Sequence, residues 1–363
     1  MIVARTPGKL FIAGEYAVVE PGEPSVLVAV DRYLTVRLTE SADEGRIHSG
    51  EYGHAPLVWT RGADGVSVVR EHGPADYVLS AIATVERLRG ERGLAPRYFD
   101  LDITSGLDDS QGRKFGLGSS AAVTVAVVAA LDEFYGLALT RTERFKLSLL
   151  ATIQIAPNAS GGDLAACTFG GWVRYTAPDR LALRAFLDTH TIAETLDAPG
   201  WDSYSTTRLP QPESVELLVG WTGSPASTER LVDRVRHRRG DTSGPYARFL
   251  QNSGANVDAL VHAIERDDTS AMLETIHTAR HLLQGLGDRS DIGIETPLLA
   301  ALCDAAERYG AAGKPSGAGG GDCGIVLAPR TAPVRRLLAD WESHDVRRLD
   351  LTVHPPEGGP DGN

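Results

Sequence analysis

Strands and helices mixed in both halves of the chain, three separated glycine-rich segments and a length of 363 residues predict an α+β protein of two domains with a cleft between them. A single core has usually stopped growing at that length. Apolar residues make up 42% and charged residues 23%, ordinary globular usage that gives no case for disorder. The formal net charge of -12 opposes binding to a nucleic-acid backbone, which relies on clustered Lys and Arg. One basic run, residues 234–239, reads as a solvated face. The longest apolar tract, around residues 121–131, falls well short of the roughly 20 residues of a membrane span. The start, MIVARTPGK, has no apolar stretch behind a basic end, so a cytoplasmic protein with no membrane partner is expected. Cys167, Cys303 and Cys323 stand far apart and read as small buried hydrophobes.

The elements follow in order. Residues 25–38, 99–103 and 171–175 are rich in β-branched and aromatic residues and read as strands. Pro74 can open a helix running through Leu88, with Gly90 and Gly93 to stop it, and a second helix is predicted from Ser119 to Tyr135. Residues 188–212 mix Pro, Asp, Ser and Thr without a period, which predicts a connection and divides the chain into domains 1–187 and 188–356. Beyond it, residues 215–221 read as a strand, and residues 249–264 and 272–286 as amphipathic helices. Thr296 and Pro297 start another helix that Gly310 ends, and a glycine-rich loop leads into the apolar run 323–328. The tail from Pro355, with residues 357–363 outside either domain, is expected to be disordered. This irregular order does not suit a doubly wound sheet or a barrel.

The central glycine segment, KFGLGSSAAVTVA (114–126), looks like a loop feeding a helix N-terminus. Such a place binds phosphate because free N–H groups point outward, the helix dipole favours an anion, and glycines let backbone approach the ligand. A capped buried helix whose glycines merely serve the turn is the plainer alternative. The same string satisfies G-x-G-x-x-A, but a dinucleotide site needs a strand directly before it and an acid closing the next strand. No G-x-x-x-x-G-K-[ST] occurs, so a kinase activity would need a fold other than the P-loop. The first segment, PGKLFIAGEYAVV (7–19), sets Lys9 and Glu15 among apolar residues, where Lys9 can neutralise phosphate or merely start a strand. The third, KPSGAGGGDCGIVLA (314–328), contains G-x-G-x-x-G before a strand rather than a helix, a false dinucleotide match. Its glycines indicate backbone held close to a ligand or to the other domain, or a flexible turn.

In order and spacing these segments resemble the GHMP kinase family, named for galactokinase, homoserine kinase, mevalonate kinase and phosphomevalonate kinase, from residue 7 to about residue 328. The resemblance implies an N-terminal domain like that of a ribosomal small-subunit protein, a ferredoxin-like C-terminal domain, and ATP bound between them. NASGGDLAACTFGGWVRY (158–175) resembles the segment carrying the family's catalytic aspartate, which falls on Asp163. GWTGSPASTERLV (220–232), Lys114 ahead of Gly116, and GAGGGDCG (317–324) resemble members whose acceptor is phosphomevalonate. By that resemblance Lys9 and Asp163 are catalytic. ATP lies on Lys114, Gly116, Leu117, Gly118, Ser119 and Ser120, with Ser120 a ligand of Mg²⁺. The acceptor meets Lys9, Glu15, Tyr16, Lys114, Ser160, Gly161, Asp163, Ser227, Ser316 and Ala318. The chain departs from mevalonate kinases at Thr152, where those carry a metal-binding glutamate.

A phosphate monoester has a second pKa of about 6 and is mostly a dianion at neutral pH, so such an acceptor needs no strong base. Cations must instead offset its repulsion from the ATP γ-phosphate, and Asp163 is expected to hold Lys9 and orient the acceptor. With an alcohol acceptor Asp163 would serve as a base. The alternatives are a mevalonate kinase, a non-catalytic sensor of the same fold and, from another class, a dinucleotide-binding oxidoreductase. His277 and His281 read as a helix face, and Asp108, Asp109 and Ser110 as shaping a turn. A homodimer is left open.

Overall fold

The first strand, β1 (Ile2–Ala13), alternates in exposure up to Arg5 and is buried throughout from Thr6, because its second half runs into the middle of the molecule. The structure, a computed structural model, describes residues 1–50, 53, 55–70, 76–109, 111–224, 228–238 and 244–358. β1 pairs antiparallel with the long β2 (Pro24–Ser41). The first unit continues through β3 (Gly45–Ser49), β4 (Leu57–Arg61), β5 (Val68–Arg70), α1 (Tyr77–Glu91), β6 (Tyr98–Ser105), α2 (Ser119–Tyr135), α3 (Arg141–Ile155) and α4 (Gly162–Phe169). It closes with β7 (Trp172–Thr176), α5 (Arg180–Leu187), α6 (Ile192–Leu196) and β8 (Ser205–Leu209). Among the described residues its sheet has eight strands in the order β5-β4-β3-β6-β2-β7-β8, with β1 on β2, and only β3 and β6 run parallel. α2, built of small and β-branched residues, is buried along most of its length against β1, β2 and the helices α1, α3 and α4.

The second unit consists of β9 (Val215–Trp221), α7 (Thr228–Arg238), α8 (Pro245–Glu265), α9 (Thr269–Ser290), α10 (Pro297–Arg308), β10 (Ala312–Pro315), β11 (Cys323–Pro329), α11 (Val334–Ser343) and β12 (Arg347–Leu349). Its antiparallel sheet has the order β10-β11-β9-β12. The α+β class and α2, over the same residues, agree with the sequence. The three cysteines are buried and unpaired with one another, and burial pushes each thiol's pKa up.

Three expectations differ. Pro74 lies outside the described residues, and α1 is instead opened by Asp76, whose carboxylate accepts from the Leu79 amide at 2.8 Å. α1 also passes through Gly90, where a side chain would come within 2.9 Å of Val66, and stops before Gly93, whose φ of 66° ends the helix. Residues 188–212 are not an irregular connection. Thr191 and Glu194 form a capping box that starts α6, the Ile192 amide donates to Glu91 at 2.7 Å, and β8 pairs with β7. The change of sheet therefore falls between Leu209 and Val215, and the sparse anchors Ile192, Leu196, Trp201 and Leu209 explain why no period showed. Finally, the tail is packed as far as Gly358, and residues 359–363 lie outside the described residues: His354 bonds Ala29 and Gly171 at 2.9 Å each, and the Glu357 amide donates to Phe169 O at 2.9 Å. Gly170 makes room for it, since a Cβ there would lie 2.5 Å from Pro355 O.

The two units meet along the buried half of β1. Ser316 Oγ accepts from the Phe11 amide and donates to the Phe11 carbonyl, both at 3.0 Å. Tyr16 Oη donates to Ala318 O at 2.6 Å. Beside them Lys314, fully buried, pairs with the buried carboxylate of Glu15 and donates to Pro315 O at 2.6 Å. Breaking a buried pair from one side leaves an uncompensated charge, so Lys314→Met should lower unfolding free energy by roughly 3–5 kcal/mol, while Glu15→Met with Lys314→Met should recover most of it. Urea unfolding of both variants measures this; equal losses in the two would count against the pair as the source.

Candidate active site

All three glycine-rich segments border one cleft of about 580 Å³ between the units. Lys9 rises from the buried part of β1 and is only 6% exposed, a cation among apolar neighbours. Its amide donates to Leu117 O at 2.9 Å, which fastens the loop before α2 directly to β1. Gly118 caps α2 in the left-handed conformation at φ 82°, and a Cβ there would stand 2.8 Å from Lys9 Cε. Glycine is thus required twice, by backbone and by space. Ser119 and Ser120 open α2 and border the cleft, where the first-turn amides have no carbonyl above them and suit an anion. Gly116, at φ 79°, abuts Asp322 of the other unit: a Cβ would come 2.5 Å from the Asp322 Cβ.

Asp163 stands in the first turn of α4, and its Oδ2 lies 3.4 Å from Lys9 Nζ. Gly161 caps that helix at φ 85°, because a side chain there would meet the Tyr175 hydroxyl at 2.6 Å. Ser160 O accepts from that same hydroxyl at 2.7 Å, and its own hydroxyl accepts from the Gly162 amide at 3.3 Å. Lys114 borders the cleft from an exposed loop, where Asp109 shapes the turn by accepting from the amides of Gln111 and Arg113 at 2.8 Å. Glu15, Tyr16 and Ala318 also border it; burial first, then the Glu15 charge, push the Tyr16 phenol up. Ser316 is different, since its hydroxyl both donates to and accepts from the Phe11 backbone and it does not border the cleft. Ser227, like Ser110, lies outside the described residues.

The sequence reading missed Asn158 and Asp233, which meet at 2.9 Å across the cleft between the α3–α4 loop and α7. It also missed Asp322 as a cleft residue. Both Asn158 and Asp322 sat inside strings already singled out, so a polar residue within a glycine-rich string was the available signal. Thr152 of α3 borders the cleft with its Oγ1 buried and unpartnered. His277, by contrast, lies 3.4 Å from Glu307 on a helix face. Among the described residues no group of three or more His, Cys, Asp or Glu could hold a metal by itself.

Residues 76–171 match the GHMP kinases N terminal domain, and residues 260–346 match the GHMP kinases C terminal domain. A phosphomevalonate kinase of Streptomyces sp. strain CL190 is 46% identical, over 97% of this chain and 96% of that one. The chain belongs to the GHMP kinases. A solved Streptococcus pneumoniae phosphomevalonate kinase, in complex with phosphomevalonate and AMPPNP, superposes on this GHMP kinase with a TM-score of 0.84 at 31% identity, covering 97% of this chain and all (100%) of that one. A mevalonate kinase of Thermococcus sibiricus is 28% identical over 90% of this chain and 89% of its own length. The oxidoreductase alternative is thereby removed, and for a visible reason: β6 ends at Ser105, well before the glycine loop, and the third segment joins two antiparallel strands. Among the described residues no helix is long and apolar enough to cross a membrane.

Because Gly118 has neither space nor backbone freedom for a side chain, Gly118→Val should weaken ATP binding at least tenfold, roughly 1.4 kcal/mol, in a protein that still folds. Nucleotide titration alongside circular dichroism tests this; unchanged affinity in the folded variant would remove the loop from the nucleotide site.

Proposed function

We propose that this GHMP kinase is a phosphomevalonate kinase: it transfers the γ-phosphoryl group of ATP to the phosphate of (R)-5-phosphomevalonate, giving 5-diphosphomevalonate and ADP, a step of isoprenoid precursor synthesis. The observation that carries the acceptor is the difference in likeness, 46% identity to a phosphomevalonate kinase over almost the whole chain against 28% to a mevalonate kinase. The cleft's chemistry supports the same reading.

An acceptor oxygen of the phosphate dianion attacks the γ-phosphorus as the bond to ADP breaks, and no proton has to be removed first. The obstacle is charge repulsion. Lys9, screened from water by burial, is a point cation whose attraction for developing negative charge is stronger there than in solvent. Asp163, whose side chain is 36% exposed, stands 3.4 Å away and holds the ammonium in place without enclosing it. In this reading Asp163 orients Lys9 and the acceptor. The amides and hydroxyls at the start of α2, with Lys114 at the rim, hold the triphosphate.

The oxygen donors in this wall fit Mg²⁺ arriving with ATP: Ser120 would hold it, and the unpartnered, buried hydroxyl of Thr152 is a further donor. A small hard cation is commonly held by few protein oxygens together with water and phosphate. When bound, the ion offsets charge on the triphosphate. The enzyme so read is cytoplasmic, with ATP and phosphomevalonate as its small-molecule partners and neither nucleic acid nor membrane as a partner, for which the net charge of -12 argues on the nucleic-acid side.

Lys9→Met should lower kcat/KM for phosphomevalonate by two to three orders of magnitude, about 3–4 kcal/mol of lost transition-state stabilisation. Asp163→Asn should cost less. With the dianion as nucleophile, the rate falls as pH drops through the acceptor's second pKa, about 6, and Asp163→Asn leaves that acidic limb in place. A phosphonate acceptor of lower second pKa should move the limb to lower pH. Loss of the limb in Asp163→Asn, or faster ATP consumption with mevalonate than with phosphomevalonate, would replace this reading with that of a mevalonate kinase.

A further inference from the structure

Away from the cleft, Arg280 of α9 is 6% exposed and meets three carboxylates. Its guanidinium forks onto Glu295, with Nη2 at 2.6 Å from Oε1 and Nε at 3.1 Å from Oε2. It also reaches Asp304 and Glu307 of α10 at 2.6 Å each. Gln284 adds a donor to Glu295 at 3.2 Å. Asp304 and Glu307 are largely open to solvent, but Glu295, with a side-chain exposure of 8%, is buried like Arg280 itself. Exposed pairs of this kind contribute little, whereas a buried forked pair fixes both partners in one geometry.

What Glu295 fixes is the backbone beside it. The Ile294 carbonyl accepts from the Gly320 amide at 2.8 Å, and a Cβ on Gly319 would come within 2.3 Å of that same oxygen. The contact sets the glycine-rich loop between β10 and β11, which presents Ala318 to Tyr16 and Asp322 to Gly116. At Gly317 the same loop passes 4.0 Å from Lys9 Nζ, measured from where a Cβ would sit.

We infer that Arg280 and Glu295 are positioning residues for phosphoryl transfer: their buried pair holds Ile294, and Ile294 holds the glycine loop at the distance from Lys9 that the acceptor phosphate requires. The inference rests on the cleft's being the acceptor site. A staple that merely joined α9 to α10 would run through Asp304 and Glu307 and would leave the loop indifferent to Glu295.

Comparing two carboxylate variants tests the route. Glu295→Gln should raise KM for the acceptor roughly tenfold with a smaller change in kcat, the size expected when a supporting contact is loosened. Glu307→Gln, which removes only a solvent-open carboxylate from the cluster, should leave KM alone. If Glu295→Gln does not fold, Arg280→Lys, which keeps the charge and loses the fork, should show the same rise in KM. The contrast is read with whichever acceptor the unaltered enzyme turns over, so an error in the assigned acceptor is seen separately. Equal KM effects in the Glu295 and Glu307 variants, or an unchanged KM in folded Glu295→Gln or Arg280→Lys, overturns the positioning role.

Discussion

The buried pair of Glu15 with Lys314 is the interaction on which the arrangement of the two units depends. It joins the turn that follows β1 in the first unit to β10 in the second, at a point withdrawn from water. Ion pairs withdrawn from water are seldom a source of net stability, since desolvation opposes the attraction. What such a pair supplies is registration: Lys314, already bonded to the carbonyl of its own neighbour Pro315, finds the Glu15 carboxylate only in one alignment of the units. Ser316 on Phe11 and Tyr16 on Ala318 repeat the constraint with neutral groups on either side. The cleft inherits its dimensions from this seam.

A second consequence concerns charge. The chain carries a formal net charge of -12, yet its substrates, as proposed, are both polyanions. Long-range attraction therefore cannot bring them together, and binding has to be local. The buried Lys9, the amides opening α2 and the exposed Lys114 supply positive potential within one cleft. Asp163 partly cancels Lys9, but only from one side and with its own carboxylate well solvated. An arriving phosphate dianion can share the ammonium with Asp163 without displacing it.

Local chemistry was legible in the sequence and long-range packing was not. The helix from Ser119 to Tyr135 announced itself because a glycine loop, two hydroxyls and a run of small residues all describe the same helix start. Thr296 and Pro297 did the same for α10, where the Thr296 side chain accepts from the Leu299 amide. Residues 188–212 were misread because each short element there is held by a few side chains against α1, α3 and β7, not by a pattern of its own; only the Thr191–Glu194 box was local. The described start of the tail was misread for a related reason: Pro355 to Glu357 pack where side chains are absent at Gly170 and Gly171, far away in sequence. At the site, Lys9 and Asp163 could each be named from strings, but their approach to 3.4 Å follows from the contact of α4 with β1. Ser316 was assigned to the acceptor on resemblance, and the bonds of its hydroxyl to the Phe11 backbone could not be read from its string.

The nucleotide loop and the proposed acceptor side of the cleft are not independent. Leu117 is bonded to Lys9, so the backbone that should carry the triphosphate is fixed to the residue that should meet the acceptor. From the opposite side Gly116 rests on Asp322, whose loop passes through Gly320 to Ile294. The loop before α2 is thus held between two contacts, one to its own unit and one to the other, and in the proposed reaction a shift in either would move donor and acceptor relative to each other. Phosphoryl transfer depends on in-line placement, where displacement by about an ångström can cost two orders of magnitude in rate. The glycines at 116, 118 and 319 therefore matter less as flexible points than as places where absent side chains let backbone and charged groups pack closely enough to make that placement rigid.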